Sequence, residues 1–228
     1  TQFGNFKRIG QTVNLDHHLT CENFGSYNLI DEQAAATGLL VWRIAKAYGF
    51  RADHDTALCL YVAVLTDTGS FRYSNANREA FEAAGELLEQ GGLNAWFVSE
   101  RLYESQPRKR LELLSMALPT LEFIRDGQAA SLTVTLDMYA TSGASAELTD
   151  GFVNYPRSVA GVEVAIFFRQ LEEKKYKVGF RSKGAVNVAA LAQAFGGGGH
   201  HNAAGGTVDG TLDEVKRIVY QAVHEAAW

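Results

Sequence analysis

Asn14-Leu15-Asp16-His17-His18 is the stretch on which the fold turns. Thr12 to Leu15 reads as a short strand that breaks into an acid and two adjacent imidazoles. Ends of strands in open α/β sheets are where ligand and metal sites gather. Neutral imidazole and carboxylate are ligands for manganese, iron, zinc and similar cations. Taken alone, the triplet is equally a polar turn that happens to hold two histidines, so the rest of the chain must decide.

The chain has 228 residues, enough for one large domain or two modest ones with substantial cores. Its net charge of −5 gives no broad basic field to draw in long nucleic acid. A nucleic-acid substrate would therefore be short, or held by a local basic cluster, and long duplex DNA is not expected. Two cysteines, Cys21 and Cys59, supply no disulfide framework, so free thiols and a cytoplasmic setting are expected. No stretch approaches the length of a membrane-spanning helix, and no signal peptide opens the chain. The chain does not begin with Met, and the triplet follows within about a dozen residues; a fragment of a longer protein is expected.

A loop and then a strand are expected over residues 1–18, and an irregular polar connection over 25–32. Helical periodicity covers 34–48, 53–65, 78–89, 95–103 and 107–118. Near Leu118-Pro119 the texture changes. Strand alternation marks 121–125 and 129–136 around the turn Asp126-Gly127, then 163–170 and 175–180. A helix over 187–195, the glycine run 196–199, a strand near 205–208 and a final helix over 212–226 follow. The expected fold class is α/β. Residues 1–105 form part of a parallel-sheet domain, 106–119 a helical connector, and 120–228 a smaller mixed-sheet α/β domain.

Three further elements carry chemistry. Asp67 sits at the end of an apolar helix, in Thr66-Asp67-Thr68-Gly69-Ser70, where small neighbours let a ligand approach. Gly196 to His200, followed by Ala203-Ala204-Gly205, combines open backbone with an imidazole; Gly197, Gly198, Gly199 and His200 are candidate phosphate or base contacts. Arg181-Ser182-Lys183-Gly184 ends a strand with a guanidinium and a hydroxyl suited to phosphate. Arg72 and Arg157 are weaker candidates of the same kind. Cys21 lies near the triplet but has no paired base, so no thiol nucleophile is expected.

These elements, in this order, resemble the DHH phosphoesterase family with its DHH-associated C-terminal domain. Thr66 to Asn75 and Ala35-Ala36-Thr37 make the nanoRNase/pAp-phosphatase group the nearest likeness within it. The resemblance implies His17 and Asp67 as metal ligands, and His18 facing the scissile phosphate. It implies Asp16 as orienting an imidazole or supporting the metal, and Arg181, Ser182, the glycines and His200 as holding substrate. It implies two manganese ions, with magnesium or cobalt as alternatives, activating water against short oligoribonucleotides (nanoRNA) or 3′-phosphoadenosine 5′-phosphate. Cyclic or linear dinucleotides are alternative substrates, and the family allows a homodimer. The resemblance also implies an upstream motif with a histidine and two aspartates, and a further strand Asp, which this sequence does not contain. A non-catalytic nucleotide-binding fragment is therefore the rival expectation, with weak or no hydrolysis by this chain alone.

Overall fold

The computed structural model describes residues 10–18 and 21–228; the loop expected over residues 1–9 lies outside them. The chain divides into two compact units, Thr1–Ser105 and Gln106–Trp228.

In the first unit, β1 (Val13–Asp16) pairs in parallel with β2 (Tyr27–Ile30), Leu15 opposite Leu29 and Asp16 opposite Ile30. β2 falls where an irregular polar connection was expected. Its polar and turn-forming neighbours, Gly25, Ser26 and Asn28, hide a four-residue strand that is held partly by side chains. Asn14 donates to Glu22 O and to Asn28 Oδ1, at 3.1 and 3.2 Å.

Three helices follow: α1 (Thr37–Ala47), α2 (His54–Asp67) and α3 (Arg78–Gly91). Asp53 caps α2 by accepting from Thr56 N, and Asn77 caps α3 by accepting from Ala80 N. Each cap satisfies a backbone donor that the first helical turn leaves without a partner. Leu39, Leu40, Ala57, Val64, Ala80, Ala83 and Leu87 are buried together where the three helices meet. The short helix α4 (Ala95–Ser99) continues into a π-helical turn, Glu100–Glu104.

The second unit opens with α5 (Arg108–Ala117), expected as a connector. It packs into the second unit instead, with Leu113, Leu114 and Ala117 buried against Leu132, Val134 and Phe152. The strands β3 (Glu122–Ile124) and β4 (Ala129–Val134) form a hairpin. A crossover through α6 (Leu136–Ser142) and α7 (Asn154–Ser158) leads to β5 (Val164–Glu172), which runs parallel to β4. β6 (Lys175–Ser182) returns antiparallel to β5. Then come α8 (Val188–Gln193), β7 (Gly198–His200), β8 (Ala203–Asp209) and α9 (Leu212–Glu225). The six-stranded mixed sheet has the order β3-β4-β5-β6-β8-β7.

Alternation along these strands separates two faces. Ile166, Phe168, Tyr176, Val178 and Phe180 point to a core shared with Val215, Val219 and Val223 of α9. A fully buried phenylalanine of this kind contributes about 2–3 kcal/mol by leaving water. The other face carries Phe167, Arg169, Lys177, Gly179 and Arg181. α5, α6 and α7 lie toward the β4–β5 side of the sheet, with α7 reaching β6.

Candidate active site and nucleotide groove

In the first unit, β1 ends on Asp16, and the next two residues turn their imidazoles together. The rings of His17 and His18 meet edge-on, with centroids 4.6 Å apart. Ligand atoms of Asp16, His17 and His18 all lie within 4.8 Å of one another. Asp16 Oδ1 accepts from His17 N at 2.7 Å and His18 N at 3.1 Å, and it also pairs with His18 Nδ1. Burial raises the Asp16 carboxyl, but hydrogen bonds from the Cys21 thiol, the His18 ring and the two backbone amides outweigh it and bring the pKa down to about 2. Asp16 is thus an ionised carboxylate that fixes the His18 ring. The Cys21 thiol is pushed up by its bond to Asp16, so it is not poised as a nucleophile.

His17 is oriented from behind. Its Nδ1 lies 3.1 Å from Ala34 O. A carbonyl only accepts, so Nδ1 carries a proton and Nε2 is the ring nitrogen turned toward the site, the orientation of a metal-binding histidine. Nε2 stands 3.6 Å from Asp67 Oδ2. Two ligands bonded at about 2.0–2.2 Å to one divalent cation stand roughly 3–4 Å apart, so this spacing fits a shared ion. The mixed nitrogen and oxygen donors suit manganese, and also iron, cobalt or zinc. Burial raises the Asp67 carboxyl, and the neighbouring histidines only partly offset it.

Asp67 is the last residue of α2, and the turn after it is unusual. Gly69, Ser70 and Phe71 all have φ between 57° and 59°. Ser70 and Phe71 are not glycines, so each costs on the order of 1 kcal/mol or more. Phe71 recovers part of this by stacking on Phe81, centroids 4.7 Å apart. Asn75 then closes the loop, donating to Asp67 O at 3.1 Å and Ala35 O at 3.0 Å. The segment Ala34-Ala35 therefore holds both sides of the site, His17 through one carbonyl and the Asp67 loop through the next.

In the second unit, the open face of the sheet forms a groove of about 620 Å³. Arg181, Gly198 and His200 line it. Arg181 stands opposite Ala203 on β8, and His200 opposite Ala203 on β7, so cation and imidazole share one rung across small residues. The next rung is Phe167, Gly179, Gly205 and Gly198, a flat floor with one aromatic wall.

The remaining sequence candidates fall elsewhere. Ser182 is one residue past Arg181 and so points to the opposite, buried face; its hydroxyl donates to Asn202 Oδ1 at 3.0 Å. Gly197 and Gly199 are glycines because β8 crosses them. A Cβ on Gly197 would sit 2.2 Å from Gly205 O, and one on Gly199 2.5 Å from Ala203 O. The second half of the run expected as a loop is thus strand β7, and of its four glycines Gly198 faces the groove. Sequence reasoning missed Phe167, Arg169 and Lys177, which line the same groove. Alternate positions on the two expected strands carry all three.

Residues 130–227 match the DHHA1 domain. A bifunctional oligoribonuclease and PAP phosphatase NrnA from Thermus thermophilus is 36% identical over 95% of this chain, which covers 64% of that protein. The Bacillus subtilis protein of the same description is 25% identical over 91% of this chain, and 65% of it is covered. A crystal structure of an exopolyphosphatase-related protein from Bacteroides fragilis superposes with a TM-score of 0.89 at 30% identity, covering 95% of this chain and 64% of that one. The chain thus spans just under two thirds of the length of these relatives. The DHHA1 match lies in the second unit, and the Asp16-His17-His18 site lies in the first. Over nearly its whole length the chain is similar to the oligoribonuclease and PAP phosphatase proteins.

Proposed function

We propose that the protein is a cation-dependent phosphoesterase that hydrolyses short oligoribonucleotides and 3′-phosphoadenosine 5′-phosphate. The observation that carries this reading is the His17 ring, tied at Nδ1 to Ala34 O with Nε2 facing Asp67 Oδ2. His17 and Asp67 would hold a divalent cation, manganese by preference, with magnesium or cobalt as substitutes. Bound there, the cation would supply polarisation of a phosphoryl oxygen and activation of water.

The chain's own residues do the rest. Asp16 keeps the His18 ring turned toward the reacting phosphate, where the imidazole stabilises developing negative charge. Asn75 and the Ala34-Ala35 carbonyls keep Asp67 and His17 in register. In the second unit, Arg181 grips a phosphate with its planar fork, and His200 donates beside it. Gly198 lets the nucleotide approach the backbone. No covalent enzyme intermediate is required.

The test is a thermal titration of the purified chain with manganese, alongside phosphate release from 3′-phosphoadenosine 5′-phosphate by the full-length protein. Stabilisation by manganese should vanish in His17→Ala and Asp67→Ala, together with turnover. Full turnover in either variant would overturn the assignment.

A further inference from the structure

The groove in the second unit has a third rung that the phosphate grip does not use. Two residues along β5 and β6 from the glycine floor, Arg169 stands directly opposite Lys177. Thr207 faces Lys177 from β8. Like charges directly opposed across a sheet are destabilising. Arg169 has partial relief: its Nη1 lies 3.5 Å from Ala146 O, and it interacts electrostatically with Glu147. Lys177 is exposed, and its side chain makes no hydrogen bond or ion pair among the described residues. Both line the groove with Arg181.

The order along this face is therefore a cationic rung, a flat glycine and aromatic rung, and a second cationic rung. Successive rungs are two residues apart. At about 3.3 Å per residue, Lys177 lies roughly 13 Å from Arg181 along β6. The two phosphates of one nucleoside bisphosphate are closer together than that. The backbone of a short oligonucleotide reaches both cationic rungs, with a sugar or base over Phe167 and the glycines between them.

We propose that Arg169 and Lys177 form a second backbone-phosphate subsite that distinguishes oligonucleotides from single nucleotides. This rests on the reading of the groove as a nucleotide site. Arg181 and His200 would be occupied by either ligand, whereas Arg169 and Lys177 would be occupied only by an oligonucleotide. Glu147 and Asp150 on the same wall limit the attraction for a long polyanion.

The experiment is fluorescence anisotropy of the purified 228-residue chain with a labelled pentaribonucleotide, with unlabelled 3′-phosphoadenosine 5′-phosphate as competitor. Lys177→Gln should weaken pentanucleotide binding by about 3- to 10-fold, the range between an exposed and a well-made charge-assisted contact. It should also reduce the slope of log affinity against log salt by about 0.7, one single-strand phosphate contact. Competition by 3′-phosphoadenosine 5′-phosphate should be unchanged, and thermal stability equal or higher, because a like-charge pair is relieved. Arg169→Gln should act in the same direction on the pentanucleotide. Equal loss for both ligands, or no loss for either, would overturn the second subsite while leaving the nucleotide groove standing. If the unsubstituted chain binds neither ligand, the groove reading falls and the subsite with it.

Discussion

Gly199 and Gly198 are neighbours in one strand, yet the structure gives them opposite consequences when a methyl group is added. At Gly199 the backbone has φ 146°, a conformation that L side chains rarely adopt. A Cβ there would also lie 2.5 Å from Ala203 O and 2.6 Å from Ala204 Cα, both backbone atoms of β8. Neither can swing aside as a flexible side chain would. The dihedral alone costs about 1–3 kcal/mol, and parting β7 from β8 endangers the Gly199–Ala204 rung. Gly199→Ala should therefore destabilise the second unit by about 2–4 kcal/mol. For a unit of this size that is a fall in Tm of roughly 6–15 °C. At Gly198 a Cβ meets nothing within 4 Å. Gly198→Ala should fold within about 1 kcal/mol of the unsubstituted chain, while the added methyl intrudes on the groove and weakens nucleotide binding. Scanning calorimetry and nucleotide titration on both variants separate the cases. Equal Tm for the two variants would refute the claim that β8 dictates Gly199 and the groove dictates Gly198.

Other outcomes follow from the first unit. Asp67 is held above its ordinary pKa by burial, so the folded state binds its proton more tightly than the unfolded chain. Its contribution then falls as pH rises from the unfolded value through the folded one, and the ionised form is unfavourable at neutral pH in the absence of cation. Asp67→Asn should raise the Tm of cation-free protein at pH 7 and abolish stabilisation by manganese; a lowered Tm without cation contradicts this. Asp16 has the opposite sign: its depressed pKa adds stability above about pH 4, lost as pH falls toward 2. In Asp16→Asn, acid unfolding followed by circular dichroism should lose that component of the pH dependence. Asn75→Ala removes a part-buried hydrogen bond to Ala35 O and an exposed one to Asp67 O, and should cost about 1–2 kcal/mol in urea unfolding. The same variant should weaken manganese binding, since Asp67 loses its tether.

The sequence made most helices legible because their apolar spacing and caps are local: Asp53, Asn77 and Asn187 each lead the helix they cap. It concealed β2 because that strand is short, polar at Asn28, and specified by pairing with β1 rather than by its own pattern. It concealed β7 for a related reason. A run of glycines has no side-chain alternation, and the strand is defined only by the register of β8. The triplet and Asp67 were recognisable as motifs. That Ala34 O orders His17 was not, because a backbone carbonyl leaves no trace in residue identity. Ser182 illustrates the converse error. Adjacency to Arg181 suggested a shared role, but on a strand adjacency means opposite faces. The same period of two, counted back from Arg181, leads to Gly179 and Lys177.

The most direct test of the account is a side-by-side time course of hydrolysis by the full-length protein, with a ribonucleotide trimer, 3′-phosphoadenosine 5′-phosphate and a 24-nucleotide RNA, in manganese and in excess chelator. The account predicts turnover of the trimer and the bisphosphate, little or none of the 24-mer, and none of any substrate in chelator. Undiminished cleavage in chelator, or cleavage of the 24-mer as fast as the trimer, would contradict it.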